Sequence, residues 1–594
     1  LRSATASEFL DYVTKRYEDK IPAYRAAYPD WWTDGFGSAA RETAASRKTH
    51  SDMTAVEGLL SMAVLKDKCL PQTTHQRIEH IHESLLFYDE HTFGASESVS
   101  DPLCENSQVQ WGEKSAYAWE AVKRTQMLYE TSVGLLQGDL RRGKNPTLTI
   151  FNTLNWKRSE MLTVYIDFEV IPRNQFFEIT DFQGHSLKVQ PIRYRREGCY
   201  YAIFAEDIPP MGYKTFEIVF KQPSTDTGTI TINNASIENH FYKLQLNPDK
   251  GTIQSLYDKE LNCELVDSSS PWELGAFIYE KLGNRDQLAQ YRLDDYNRTG
   301  LSECRIIDSS NGPIYQRILL QGKSPGTDEA FGVNLEIKLY HDTKRIELEY
   351  AIKRLPETDP SGIYVAFPFQ LPEGKLAFDV QGGTVISGKN QLEGTSTDWN
   401  TVQNFVSVQN NQAQIIIGSS LIPLYQLGDI NLGKFQYQKQ YERPHVYSWV
   451  MNNYWNTNFK ASQEGEFRWS YHLTSSVDQS SNLATKFGWS SRIPLYARVM
   501  PTGTENHKPT EYSAFHFEKD NFLMTSCTPS KEEGYILLNI REIDGKRTNL
   551  RILNEDGQTI PFTIVNAIEE KLENETSEHI FEGYQNKFIK IKRF

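Results

Sequence analysis

Up to about residue 140, apolar side chains recur every three or four positions; from Leu148 onward they alternate, every second residue. The first regime reads as helices. A Thr5-x-x-Glu8 capping box opens a first helix with Phe9, Val13 and Tyr17 on one face. A second follows WWTDGFGS and sets Met53, Val56, Leu60 and Val64 along one stripe. In a third, Pro71 precedes a Thr73-x-x-Gln76 box, and Ile78, Ile81 and Leu85 form the apolar stripe. A fourth, from about Asn106 to Gln137, carries Trp111, Ala118, Val122 and Tyr129 and stops at Gly138. Four helices joined by loops predict a bundle.

At GDLRRGKNP, Gly138 to Pro146, the chain turns to glycine, proline and charge, and the period behind it drops to two. Leu162, Val164, Ile166 and Phe168 alternate with polar residues, as do Phe216, Ile218 and Phe220, then Leu335, Ile337 and Leu339. Everything downstream reads as strand. NPDKG, Asn247 to Gly251, between FYKLQL and TIQSLY predicts a hairpin whose glycine takes a positive φ. Further breaks fall at KQPSTDTGT, Lys221 to Thr229, and more softly from Arg492 to Lys508. The expected architecture is therefore α+β and multidomain: a helical bundle over 1–140, a small β-sandwich over 147–221, a large super-sandwich over 229–492 and a C-terminal β domain over 508–594.

A chain of 594 residues exceeds what one core usually serves, in keeping with several domains. Its net charge of −14, with both signs interspersed, argues against nucleic acid and anionic membranes as partners and favours a neutral polar one. Six scattered cysteines, without a C-x-x-C, suggest buried thiols rather than a disulfide scaffold or a thiolate zinc site. No apolar run approaches the roughly 20 residues of a membrane helix. The start, LRSATASEFLDY, has no initiator Met or signal-peptide layout and reads as the remainder of something longer. Sequons at Asn234, Asn297 and Asn574 do not fix a compartment, which stays open between periplasm and cytoplasm for a bacterial source. Aromatics sit in polar surroundings, as in YSWVMNNYWNTNF, Tyr447 to Phe459. Such rings suit stacking on a sugar and equally suit a sandwich core.

No G-x-S-x-G, Walker loop, dinucleotide fingerprint or H-E-x-x-H occurs, so catalysis would fall to β-loops or to another part of the protein. Histidines cluster at His75, His80, His82 and His91, but no two have the i, i+3 or i+4 spacing of a helical zinc pair. His50 and Asp52 spell H-x-D within a helix, where i, i+2 side chains diverge. His91 differs: it follows a helix and opens HTFGASES, where Gly94 permits a tight turn and Ser96 and Ser98 can cap. By itself it reads either as a metal ligand or as part of a polar loop.

Several blocks occur in an order that resembles glycoside hydrolase family 38, the zinc-dependent α-mannosidases. They are IFNTLNWKRSE (Ile150 to Glu160), IENHFYKLQLNPDKGTIQSLYDKELNCELVD (Ile237 to Asp267), GIYVAFPFQLP (Gly362 to Pro372), QLEGTSTDWNTVQNFVSV (Gln391 to Val408), GDINLG and YSWVMNNYWNTNF. WWTDGFGSAAR, Trp31 to Arg41, resembles the segment that opens that family's helical domain, and HTFGASES occupies the place of its His-Asp-x-x-x-Gly-Ser loop, with Thr92 where the aspartate stands.

The resemblance implies the helical and sandwich portion of a retaining α-mannosidase acting on terminal α-mannosides. The family's N-terminal catalytic barrel, with its nucleophile and H-x-D zinc pair, has no counterpart in these residues and would be an expected partner. It implies His91 as a zinc ligand of the intact enzyme, with zinc not held by this chain alone. Trp32 and Asp34, and Asn452, Asn453, Tyr454 and Trp455 on a sandwich loop, are the expected substrate-binding residues. A non-catalytic carbohydrate-binding or scaffold protein is the rival reading, and a sandwich lyase or epimerase would rest on HVYSW, His445 to Trp449.

Overall fold

The computed structural model describes residues 2–222 and 235–594; most of the Lys221 to Thr229 break and the Asn234 sequon lie outside them. α1 (Ala6–Tyr17) starts at the expected box, with the Glu8 amide donating to Thr5 Oγ1 and the Thr5 amide to Glu8 Oε2. It buries nothing, and Phe9 is 61% exposed. The bundle is therefore three helices, α2 (Ala40–Leu65), α3 (Thr74–Asp89) and α4 (Glu105–Leu136), rather than four. An apolar stripe dictates that a face wants burial; it does not supply the partner, and α1 finds none among the described residues. The Thr73 box also fails to form: Thr73 makes no side-chain cap, and the first turn closes through the Thr74 amide on Pro71 O.

α2 is the pivot. Met53, Val56 and Leu60 pack on Ile81 and Leu85 of α3 and on Ala121 and Leu128 of α4. Leu59, Met62, Ala63 and Val64 point the other way, into a core shared with Met524, Ile536, Leu538 and Ile589 of the C-terminal sheet. A helix apolar on both sides is one buried between layers.

The first sheet pairs Thr147–Asn152 with Gly212–Lys221, as the break at 146 predicts, but its other neighbour is Tyr496–Met500, and Glu511–Ser513 adds to its far edge. Leu148, Ile150, Leu162, Val164, Ile166, Phe216 and Ile218 fill its core, while Phe220 is largely exposed. The middle of the chain builds a six-stranded and a nine-stranded antiparallel sheet, between which Leu335, Ile337, Leu339, Ile363, Val365, Val446 and Leu473 are buried. The NPDKG hairpin forms with Asn247 opposite Thr252 and Gly251 at φ 66°.

Among the described residues one α-helix interrupts the strands: α5 (Ser481–Arg492), capped by Ser480, packs Leu483, Ala484 and Phe487 on Phe405 and Ile416. The expectation of β structure throughout missed it, because its twelve residues carry a short 3.6-period stripe within a long two-period background. All six cysteines are unpaired, but only Cys199 and Cys527 are buried; Cys69 is exposed. Among the described residues no helix is long and apolar enough to cross a membrane.

Candidate functional site

The outer face of the six-stranded sheet carries an aromatic cluster of Tyr364, Trp399, Trp449 and Tyr454, and the tight helical turns of Trp31–Ala39 close over it. Asp30 starts those turns, its carboxylate accepting from the Trp32 amide at 2.9 Å and its carbonyl from Thr33 Oγ1. Trp31 packs edge-on against Trp399, whose indole N–H donates to Thr33 Oγ1. With Trp31 pinned inward, Trp32 turns outward and is 50% exposed.

The two glycines of DGFG set how closely this segment meets the loop after Asn452. A methyl group on Gly35 would lie 1.9 Å from Cε1 of Phe459, and one on Gly37 2.3 Å from Nδ2 of Asn452. That amide donates to Asp34 O, and Gln463 bridges Gly37 O, Asn452 O and the Ala40 amide. HTFGASES docks on the same loop. Phe93 N donates to Asn458 O, Asn458 N to Ala95 O, and the buried Ser98 hydroxyl to Phe459 O at 2.7 Å. Three segments far apart in sequence thus converge on one junction.

On its surface the His91 ring lies against Trp32, centroids 4.7 Å apart, and Trp455, 38% exposed, sits edge-on to Phe459. His91 Nδ1 is 2.9 Å from Glu90 Oε1. Glu90 is itself held by the Thr92 amide and hydroxyl and by Lys114. Burial opposes its charge, but these donors outweigh it and hold the carboxyl below its ordinary range. Lys114, buried on α4, also donates to Phe87 O and Glu90 O, so it closes the C-terminus of α3. Thr92, at the position where the resembling pattern has an aspartate, serves Glu90 here.

Asn452, Asn453 and Tyr454 do not face outward, as the expected substrate loop requires. Asn453 accepts from Ser361 N and donates to the carbonyls of Glu357, Asp359 and Ala461. Tyr454 donates to Glu280 at 2.6 Å inside a buried network with Arg298 and Tyr364. These residues are spent on building the loop, which leaves Trp455 as the exposed one of the four.

Asp34 is also inside, 4% exposed, with Oδ1 unpartnered. Burial, and to a lesser degree Asp30, push its carboxyl up to about 7 against the pull of the Gly35 amide. His445 and Tyr447 are both buried, and His445 is engaged by Asp267.

No zinc centre is complete among the described residues: no three His, Cys, Asp or Glu side chains gather as ligands. His82 is paired with Glu57 at 2.7 Å, a contact that raises its affinity for a proton, and His50 with Asp89, while Asp52 turns away to Lys48 and Tyr496. His91 makes one polar side-chain contact, through Nδ1 to Glu90, which leaves Nε2 without a protein partner among the described residues. The sequence singled out all three converging segments and the Glu90 carboxylate beside His91, which it set aside because sequence neighbours seldom converge on one ion; Lys114 was missed, since nothing local ties it to the end of α3.

Residues 30–136 match the alpha mannosidase middle domain, and residues 237–435 match the glycosyl hydrolases family 38 C-terminal domain. An alpha-mannosidase from Enterococcus faecalis V583 superposes with a TM-score of 0.75 at 13% identity, over 99% of this chain and 72% of its own. A family 38 glycosyl hydrolase protein from Enterococcus faecalis gives 0.73 at 13% identity, over 99% and 74%. No curated protein matches. A helical domain leading into stacked antiparallel sandwiches, joined at an aromatic and histidine junction, is here the architecture of a glycoside hydrolase. The chain belongs to glycoside hydrolase family 38, of which it carries the middle and C-terminal domains.

Proposed function

We propose that this chain is the helical and sandwich portion of a retaining α-mannosidase acting on terminal α-mannosides, working with an N-terminal catalytic domain. The observation that carries the reading is the Trp32–His91 face, a ring suited to the C–H side of a pyranose beside an imidazole nitrogen without a protein partner. A retaining displacement needs two carboxyl groups about 5 Å apart flanking the sugar. Among the described residues the carboxylate in contact with His91 on this face is Glu90, already committed to Thr92 and Lys114, so nucleophile and acid would come from the other domain.

His91 would be one ligand of a zinc ion whose remaining ligands lie outside these residues; zinc would supply a Lewis acid for the sugar hydroxyls. Within this chain, Glu90 would orient the ring through Nδ1 and leave Nε2 to the metal.

The purified chain should not turn over an aryl α-mannoside. Joined to a family 38 N-terminal catalytic domain, it should do so, and His91→Ala should then lower kcat/KM about 10- to 100-fold. Turnover by the chain alone would refute the division of labour. Sugar binding without turnover in either form would support the carbohydrate-binding reading instead.

A further inference from the structure

Between α2, α5 and the edge of the nine-stranded sheet runs a cleft of about 1370 Å³. Asp30, Thr33 and Phe36, on the back of the Trp31–Ala39 segment, form part of its wall; Trp32 and His91 do not. Arg47 of α2 and Arg492, the last residue of α5, both line it and meet at one acceptor. Arg47 Nη2 donates to Gln403 O at 2.8 Å and to Val402 O at 3.3 Å; Arg492 Nη1 reaches the same Gln403 carbonyl at 3.5 Å.

Every other partner of these two guanidinium groups is neutral: for Arg492, the Ser51 hydroxyl and the side-chain oxygens of Gln403 and Asn404. Arg47 Nε is buried and has no partner at all. The nearest acids have other partners: Asp89, which also lines the cleft, is held by His50 and Ser46, and Asp379 by Asn404 with Arg541 at 3.7 Å. Two like charges drawn together out of water, without a carboxylate in contact, leave a deficit of negative charge. Burial, reinforced by Arg492, pulls Arg47 down to about 9, and burial pulls Arg492 to about 10 despite Asp379 and Asp89.

We propose that the cleft binds the oxyanion of a small acidic saccharide, a sugar phosphate or a sugar acid, between Arg47 and Arg492. Planar forks of donors are matched to such oxyanions. Trp489, half-buried in the wall, supplies a ring for the body of the ligand, and its indole N–H is buried without a partner. The side-chain NH2 of Gln403, whose oxygen alone is taken by Arg492, supplies a donor for a hydroxyl.

Calorimetry on the whole chain with inorganic phosphate, glucose 6-phosphate, glucuronate and glucose tests this. One saturable site is expected for phosphate and for at least one acidic sugar, with the sugar tighter and glucose silent; which acidic sugar binds identifies the source of the oxyanion. Arg47→Met, which gives up hydrogen bonds to two carbonyls only, should weaken binding at least about tenfold. Arg492 ties down the 403–404 segment, so its part is read on the unaltered chain by phenylglyoxal modification and peptide mapping. Phosphate should slow reaction at Arg47 and Arg492 and leave the exposed Arg196 unchanged. No saturable binding of any anionic probe, or binding that Arg47→Met leaves intact without protection of either arginine, would overturn the proposal.

Discussion

Asp34 shows how one side chain can set the pH response of a junction. Its carboxyl is pushed from 3.8 up to about 7 by burial, with Oδ1 unpartnered. Between those values the folded chain keeps a proton that the unfolded chain releases, so this group lowers stability progressively as pH rises from about 4 to 7 and no further above it. The full penalty is about 4 kcal/mol. Asn at this position has nothing to ionise. Urea midpoints of Asp34→Asn should therefore gain on the parent between pH 5 and pH 8, and an offset that is the same at both would show that the carboxyl does not titrate in this range. Among the expected site residues, those that proved to face inward are the ones whose polar groups the loop itself uses. Sequence offers the Asn453 amide to a sugar hydroxyl; only the fold reveals that the carbonyls of Glu357, Asp359 and Ala461 share its two N–H donors and that the Ser361 amide occupies its oxygen.

At the scale of elements, the Trp31–Ala39 turns are fitted to the 452–459 loop through a missing side chain. Gly35→Ala places a methyl group inside the Phe459 ring, itself held in the core with Phe93 and Tyr88. Displacing that ring should cost about 1–3 kcal/mol, visible as a lower denaturant midpoint, together with a change in Trp32 fluorescence as its turn shifts. Helices α2, α3 and α4 and the NPDKG hairpin were legible in the sequence because local period and turn chemistry specify them. The fate of α1 was not: Phe9, Val13 and Tyr17 define a sticky face whatever lies opposite. α5 was hidden for the converse reason, since Leu483, Ala484 and Phe487 offer barely one apolar repeat, and Ser480 is one cap signal among many serines. For the candidate site, the sequence marked the segments but not their meeting, which depends on contacts between residues such as Ser98 and Phe459 that no local pattern encodes.

For the molecule as a whole, α2 is the shared wall between the helical layer and the C-terminal sheet. Leu59 is fully buried on the sheet side with Phe522 and Ile540. Leu59→Ala should cost about 2–5 kcal/mol and should lower hydrogen-exchange protection in the C-terminal strands along with α2. Loss confined to the helix would mean that the layers unfold independently.

The strand at Thr147–Asn152 waits for a neighbour, Tyr496–Met500, that a ribosome delivers only late. Until then the nascent protein carries an open edge with unpaired amides and carbonyls, available to any stray strand. A synthesis halted anywhere in the intervening sandwich would release a chain with its first sheet unclosed, so the order of manufacture makes the strand at Tyr496–Met500 the custodian of one built about 350 residues earlier.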